Sequence, residues 1–140
     1  MRHLRLGLCV AAAILAAPGA AVAHHGAATF DTGKTLVLDG VVTEWVWANP
    51  HCFLKFEVKG PDGTVRTWTT ETSNPPDMVN RGWNRRSLNP GDRVTVTLEP
   101  VKSGSPVGRV LEVALPDGRV LNARGGGVTA APGRQGGIPQ

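Results

Sequence analysis

Short runs of alternating apolar and polar residues, broken by Pro/Gly turns, restrict more than any other feature what this chain can become. Cys52, Leu54, Phe56 and Val58 alternate with His51, Phe53, Lys55 and Glu57, the period of a strand with its first set of side chains on a core. Val94, Val96 and Leu98 alternate in the same way with Arg93, Thr95, Thr97 and Glu99, and Leu111, Val113 and Leu115 repeat the pattern. Between the runs stand Pro61-Asp62-Gly63, Asn89-Pro90-Gly91-Asp92 and Pro116-Asp117-Gly118, where Pro presets φ and Gly takes the left-handed position of a turn. Residues 65–71, with Trp68 as the large apolar member, return from the first of these turns. Residues 36–47 make a run longer than the usual strand of about five or six residues. That run contains Gly40, which predicts a bent strand shared between two sheets.

One helix is expected among the strands. Asn74 is a good N-cap, Pro75 suits the first helical position, Asp77 favours the positive end of the dipole, and Gly82 is a natural C′ residue with Trp83 behind it as an apolar clasp. The order is then long bent strand, strand, strand, short helix, strand, strand. This predicts a mainly β protein, a small OB-like five-stranded barrel with one short helix between strands 3 and 4. A β-sandwich with one helical connection is the alternative.

The ends of the chain set compartment and domain limits. Arg2, His3 and Arg5 form a basic start, residues 6–17 are apolar but too short to span a bilayer as a helix, and Ala21-Val22-Ala23 is a small-x-small cleavage site. Residues 1–23 thus read as a signal peptide cut after Ala23, which makes the mature protein periplasmic or secreted and His24 its first residue. A lipoprotein signal built on Cys9 does not fit, because almost no apolar run precedes it. Residues 24–35 read as an N-terminal arm, 36–122 as the β-barrel domain, and 123–140 as a Gly/Pro-rich tail too poor in apolar surface to offset the entropy of ordering it. No later segment is long and apolar enough for a transmembrane helix.

Processing also changes the bulk chemistry. Arg2 and Arg5 leave with the signal, which brings the formal charge from +4 down to +2. With no Lys/Arg cluster to follow a phosphate backbone, nucleic acid is excluded as an expected partner. Of the two cysteines only Cys52 stays, so no internal disulfide can form and stability must come from packing. No phosphate loop, nucleophile elbow or Cys-x-x-Cys is present. Asp31, Asp39, Glu44 and Glu71 are too scattered to specify an acid–base pair. No catalytic residue is assigned, and the reading leans away from an enzyme.

His24-His25 at the mature start, Phe30-Asp31, Trp47-Ala48-Asn49-Pro50-His51, Arg81-Gly82-Trp83 and Leu88-x-Pro90-Gly91-Asp92 together resemble an uncharacterised family of small periplasmic bacterial proteins, a domain of unknown function. The resemblance runs from about Ala23 to Asn122 and implies export and a one-domain β fold, with no activity attached. Gly26 stands where the family commonly has a serine.

The histidines carry the chemistry worth testing. A terminal His24 offers an α-amino group and an imidazole on one residue, and a third nitrogen from His51, or from His25 as substitute, completes a planar arrangement that suits Cu(II). The expected function is a periplasmic copper-binding carrier or buffer with His24, His25 and His51 as metal residues. The ordinary reading is that terminal histidines are solvated and that His51 hydrogen-bonds a loop carbonyl. Cys52 next to His51 suggests a Cys–His pair, but consecutive strand residues point to opposite faces, so Cys52 is expected in the core. Trp45 and Trp47, two apart in a chain with four Trp and no Tyr, should share a face. They define the second expectation, a metal-free module binding a small molecule or a periplasmic protein at that pair.

Overall fold

β1 (Leu36–Val46) is the strand around which the architecture turns. Residues 36–41 pair antiparallel with β4 (Arg93–Pro100), and residues 41–46 pair antiparallel with β2 (Phe53–Lys59). Val41 faces Arg93 on one side and Glu57 on the other. At the bend, a Cβ on Gly40 would stand 2.6 Å from the Glu57 carbonyl oxygen and 2.7 Å from the Phe56 ring, so glycine permits the close approach of β2. The computed structural model describes residues 29–125 and 128–130; its first strand is long and pairs on both sides as expected, but within one continuous sheet rather than between two.

The remaining strands close the barrel. β2 folds back antiparallel on β3 (Val65–Glu71), β4 runs antiparallel to β5 (Val107–Ala114), and Thr69, Thr70 and Glu71 of β3 lie parallel to Val107, Gly108 and Arg109 of β5. The order β3-β2-β1-β4-β5, closed by the β3–β5 pair, is a five-stranded barrel of the OB-like kind with one short helix between β3 and β4, and the sandwich alternative falls. Two further strands extend the sheet beyond β5. β6 (Arg119–Asn122) follows the Pro116-Asp117-Gly118 turn, and β7 (Thr129–Ala130) pairs with Arg119 and Val120. β7 falls within the segment read from sequence as a tail; residues 131–140 lie outside the described residues.

Burial follows the alternation where the ladder is regular. Cys52, Leu54 and Phe56 are fully buried, as are Val96 and Leu98. In β5 the pattern slips: Val113 is buried, whereas Leu111 and Leu115 are only half-buried. Thr97 faces Glu112 while the next residue, Leu98, faces Val110. Leu111 is therefore the extra residue of a β-bulge, which shifts the inward positions to Gly108 and Val110 before it and Val113 after it.

The helix α1 (Pro75–Asn80) has the predicted caps. The Asn74 side chain accepts from the Asp77 amide at 3.0 Å. Gly82, at φ +82°, donates to the Val79 carbonyl, and Trp83 donates to the Met78 carbonyl, the paired bonds of a Schellman motif that needs a left-handed residue at C′. Trp83 and Met78 are both buried, so the clasp also ties the helix to the barrel core.

The described part of the N-terminal arm is docked. Phe30 is 3% exposed and bridges to Val101, the Asp31 amide donates to Pro100, and the Lys102 amide donates to Thr29. A lone phenylalanine among small residues supplies enough apolar area to hold the segment against the outside of the barrel.

Candidate functional site

The two regions singled out by sequence lie at different places and differ in character. Trp45 and Trp47 share a face, as their spacing requires, with ring centroids 5.8 Å apart in a T-shaped arrangement. Trp45 also lies 5.4 Å from Trp83 and donates its indole N–H to the Asn84 carbonyl, while Trp83 donates to the Asn122 carbonyl. Trp45 and Trp47 are half-buried and packed against the core. The Trp45 face against Trp83 is therefore spent on internal contact, and both of these indole N–H groups are satisfied within the fold.

His51 precedes β2, half-buried, with Nδ1 3.1 Å from the Thr72 carbonyl oxygen. A carbonyl only accepts, so Nδ1 carries the proton and Nε2 keeps its lone pair. Metal-ligating histidines are commonly oriented in this way, by a backbone carbonyl behind the other ring nitrogen. The ordinary expectation for His51, a bond to a loop carbonyl, and the requirement for a ligand, an oriented ring with one basic nitrogen available, are met by the same contact.

Cys52 points the other way. β2 begins at Phe53, one residue later, yet the Cys52 amide donates to Ser73 and its carbonyl accepts from Thr72. The extended backbone thus continues through Cys52 and sends neighbouring side chains to opposite faces. Cys52 is fully buried, and burial pushes its thiol above the ordinary range. A Cys–His nucleophilic pair is absent, because one partner is in the core and the other faces a cleft.

That cleft, of about 260 Å³, is lined by His51, Glu71, Asp77, Arg81, Arg109 and Arg124 among others. Register explains its composition. Phe53 faces Glu71, Glu71 faces Arg109, and Arg109 faces Glu99. These four side chains form one row across the outer surface of the barrel, since residues opposite each other in a sheet share a face. Phe30 lies beside the row, with the Arg109 guanidinium 4.9 Å above its ring, and Glu99, held by Arg109 and Arg124, is only 7% exposed on an outward-facing position.

Most of the charges in the cleft are paired with one another. Glu99 accepts from both Arg109 and Arg124. Arg81 holds Asp77 through Nε and Nη2 at 3.2 and 3.1 Å. The Asp77 carboxyl sits below its usual range because of the Ser73 hydroxyl first and Arg81 second. Glu71 differs: it makes no hydrogen bond or ion pair among the described residues. The other carboxylates that sequence reading treated as scattered include Asp39, which accepts from Thr95, and Glu44, which pairs with Lys55.

Among the described residues no three His, Cys, Asp or Glu side chains converge on a point suited to a metal. His24 and His25 lie outside the described residues. Arg109 and Arg124 carry no signal in the sequence because each sits in an unexceptional strand or loop; only the fold brings them into the cleft with His51.

Fold and cleft together define a class: a small OB-like β-barrel whose side cleft presents an oriented imidazole and, among the described residues, a carboxylate without a partner. The chain belongs to a family of unknown function, DUF6152, whose model matches residues 12–110. Searches of curated proteins and of solved structures returned no match. No helix among the described residues is long and apolar enough to cross a membrane.

Proposed function

We propose that this chain is a periplasmic Cu(II)-binding protein, a carrier or buffer, in which cleavage after Ala23 makes His24 the first residue. Its α-amine and imidazole would chelate one ion, with His51 Nε2 as third nitrogen and His25 as its substitute; three nitrogens in a plane suit Cu(II), which stands highest among the common divalent ions. The observation that carries the proposal is the His51–Thr72 contact of 3.1 Å, which fixes the tautomer of a cleft-lining imidazole and leaves its Nε2 as the basic nitrogen.

The docking of Phe30 adds support. Six residue steps separate His24 from Phe30, a reach of about 20 Å when extended. Phe30 packs beneath Arg109, which lines the same cleft as His51. Phe30 thus stands beside one residue of that cleft.

The test compares the exported protein, its terminus confirmed by intact mass, with a form carrying one extra residue before His24. Cu(II) titration with EPR should show tight one-to-one binding and a nitrogen-rich spectrum in the first form only. Equal weak binding in both forms removes the copper reading and leaves a metal-free module.

A further inference from the structure

Resting on that reading, we infer that Glu71 is an additional ligand of the same site, supplying an oxygen donor beside the His51 imidazole, so that the barrel itself contributes a two-residue half-site for a divalent cation.

Position is the first argument. Phe53 is directly opposite Glu71, and His51 lies two residues before Phe53 on the same outer face, its ring centroid 6.5 Å from that of Phe53. His51 and Glu71 are thus diagonal neighbours, a relation in which residues stand about 7–8 Å apart, within reach of long side chains. Both line the one cleft.

Charge is the second argument, and it selects Glu71 over the other acids. Asp77 and Glu99 are committed to Arg81, Arg109 and Arg124. An incoming divalent cation meets three guanidinium groups in this cleft, and recruiting Asp77 or Glu99 would break an existing ion pair. Glu71 is the cleft carboxylate without such a partner among the described residues. It can offset the ion's charge with no pair lost, and carboxylate oxygen is an accepted donor alongside imidazole for Cu(II).

The experiment uses the processed full-length protein and three variants: Glu71→Gln, Glu71→Asp and His51→Ala. Glu71 faces outward and holds no partner among the described residues, so Glu71→Gln should fold with an unchanged melting temperature. The inference expects Glu71→Gln to weaken Cu(II) binding about tenfold or more and to change the EPR g∥ and A∥ values while nitrogen hyperfine lines persist. Glu71→Asp should recover part of both. A Glu71→Gln protein with wild-type affinity and an identical spectrum overturns the inference while leaving nitrogen ligation by His24 and His51 standing. A wild-type protein that binds no Cu(II) overturns both readings, whereas binding with no sensitivity to His51→Ala overturns this inference and moves the third nitrogen to His25.

Discussion

The tryptophan end of the barrel and the His51 cleft both combine buried and half-buried side chains, yet they spend their polar atoms differently. At the aromatic end, the Trp45 and Trp83 indoles find backbone carbonyls at Asn84 and Asn122, and the rings close on one another at 5.4 to 5.8 Å. In the cleft, His51 Nε2 and the Glu71 carboxylate are without partners among the described residues, amid charges that are paired. The two hydrogen-bonded indoles contribute to stability; open acceptors on a fixed frame are what a ligand can use. Under the proposal, the first region serves stability and the second serves binding.

Mutations can break that division, and the largest effect belongs to the aromatic end. Trp83→Ala removes a 1% exposed ring and should cost about 3–5 kcal/mol, read as an early midpoint in urea unfolding; a loss under 1 kcal/mol would mean the cluster is not structural. Phe30→Ala should cost on the order of 3 kcal/mol, near the lower end for buried aromatics, because the ring lies on the barrel's outside where neighbours can close over the gap. The same variant should expose the Glu99–Arg109 pair, making its stability more sensitive to salt than the wild type's.

Smaller effects sharpen the comparison from the cleft side. His51→Ala should change stability by no more than about 1 kcal/mol, the net worth of one hydrogen bond, while abolishing tight Cu(II) binding; a large loss of stability would recast His51 as a structural residue. Asp77 gives a pH signature. Its folded-state pKa is depressed, by Ser73 and then Arg81, so its contribution is fully present above the ordinary carboxylate range near about pH 4 and fades as pH falls through the lower folded value. Asp77→Asn should therefore unfold more easily than wild type at pH 6, with the gap narrowing toward pH 2; a gap that widens in acid would contradict the assignment. Cys52 should resist alkylation in the native protein and react only on unfolding, since its thiol is buried and its ionisation suppressed.

How far the sequence reveals these two regions depends on whether information is local. The alternation at Cys52, Leu54 and Phe56, the Asn74 and Gly82 caps and the bend at Gly40 are written within a few residues of where they act, and the barrel follows from them. The bulge at Leu111 is not, because it depends on which residue of β4 faces it. Phe30 carried one local signal, a single large ring in an arm of small residues, with nothing to say where it docks. Glu71 was within reach: counting outward from the tight loop between β2 and β3 pairs it with Phe53 and sets it diagonal to His51. The salt bridges of the cleft needed β4 and β5 as well, whose register the bulge obscures.

The barrel closes through three parallel rungs, Thr69, Thr70 and Glu71 against Val107, Gly108 and Arg109. This is the shortest seam of the barrel, and parallel rungs hold slightly less per residue than antiparallel ones. Local opening should begin there, with the amides of this seam exchanging with solvent before those of β1. Glu71 is its last rung, and His51 belongs to the chain leading into β2. Anything held between them clamps the joint at which the cylinder would otherwise breathe, so occupancy would be recorded as slowed amide exchange along a seam that the ligand only partly touches.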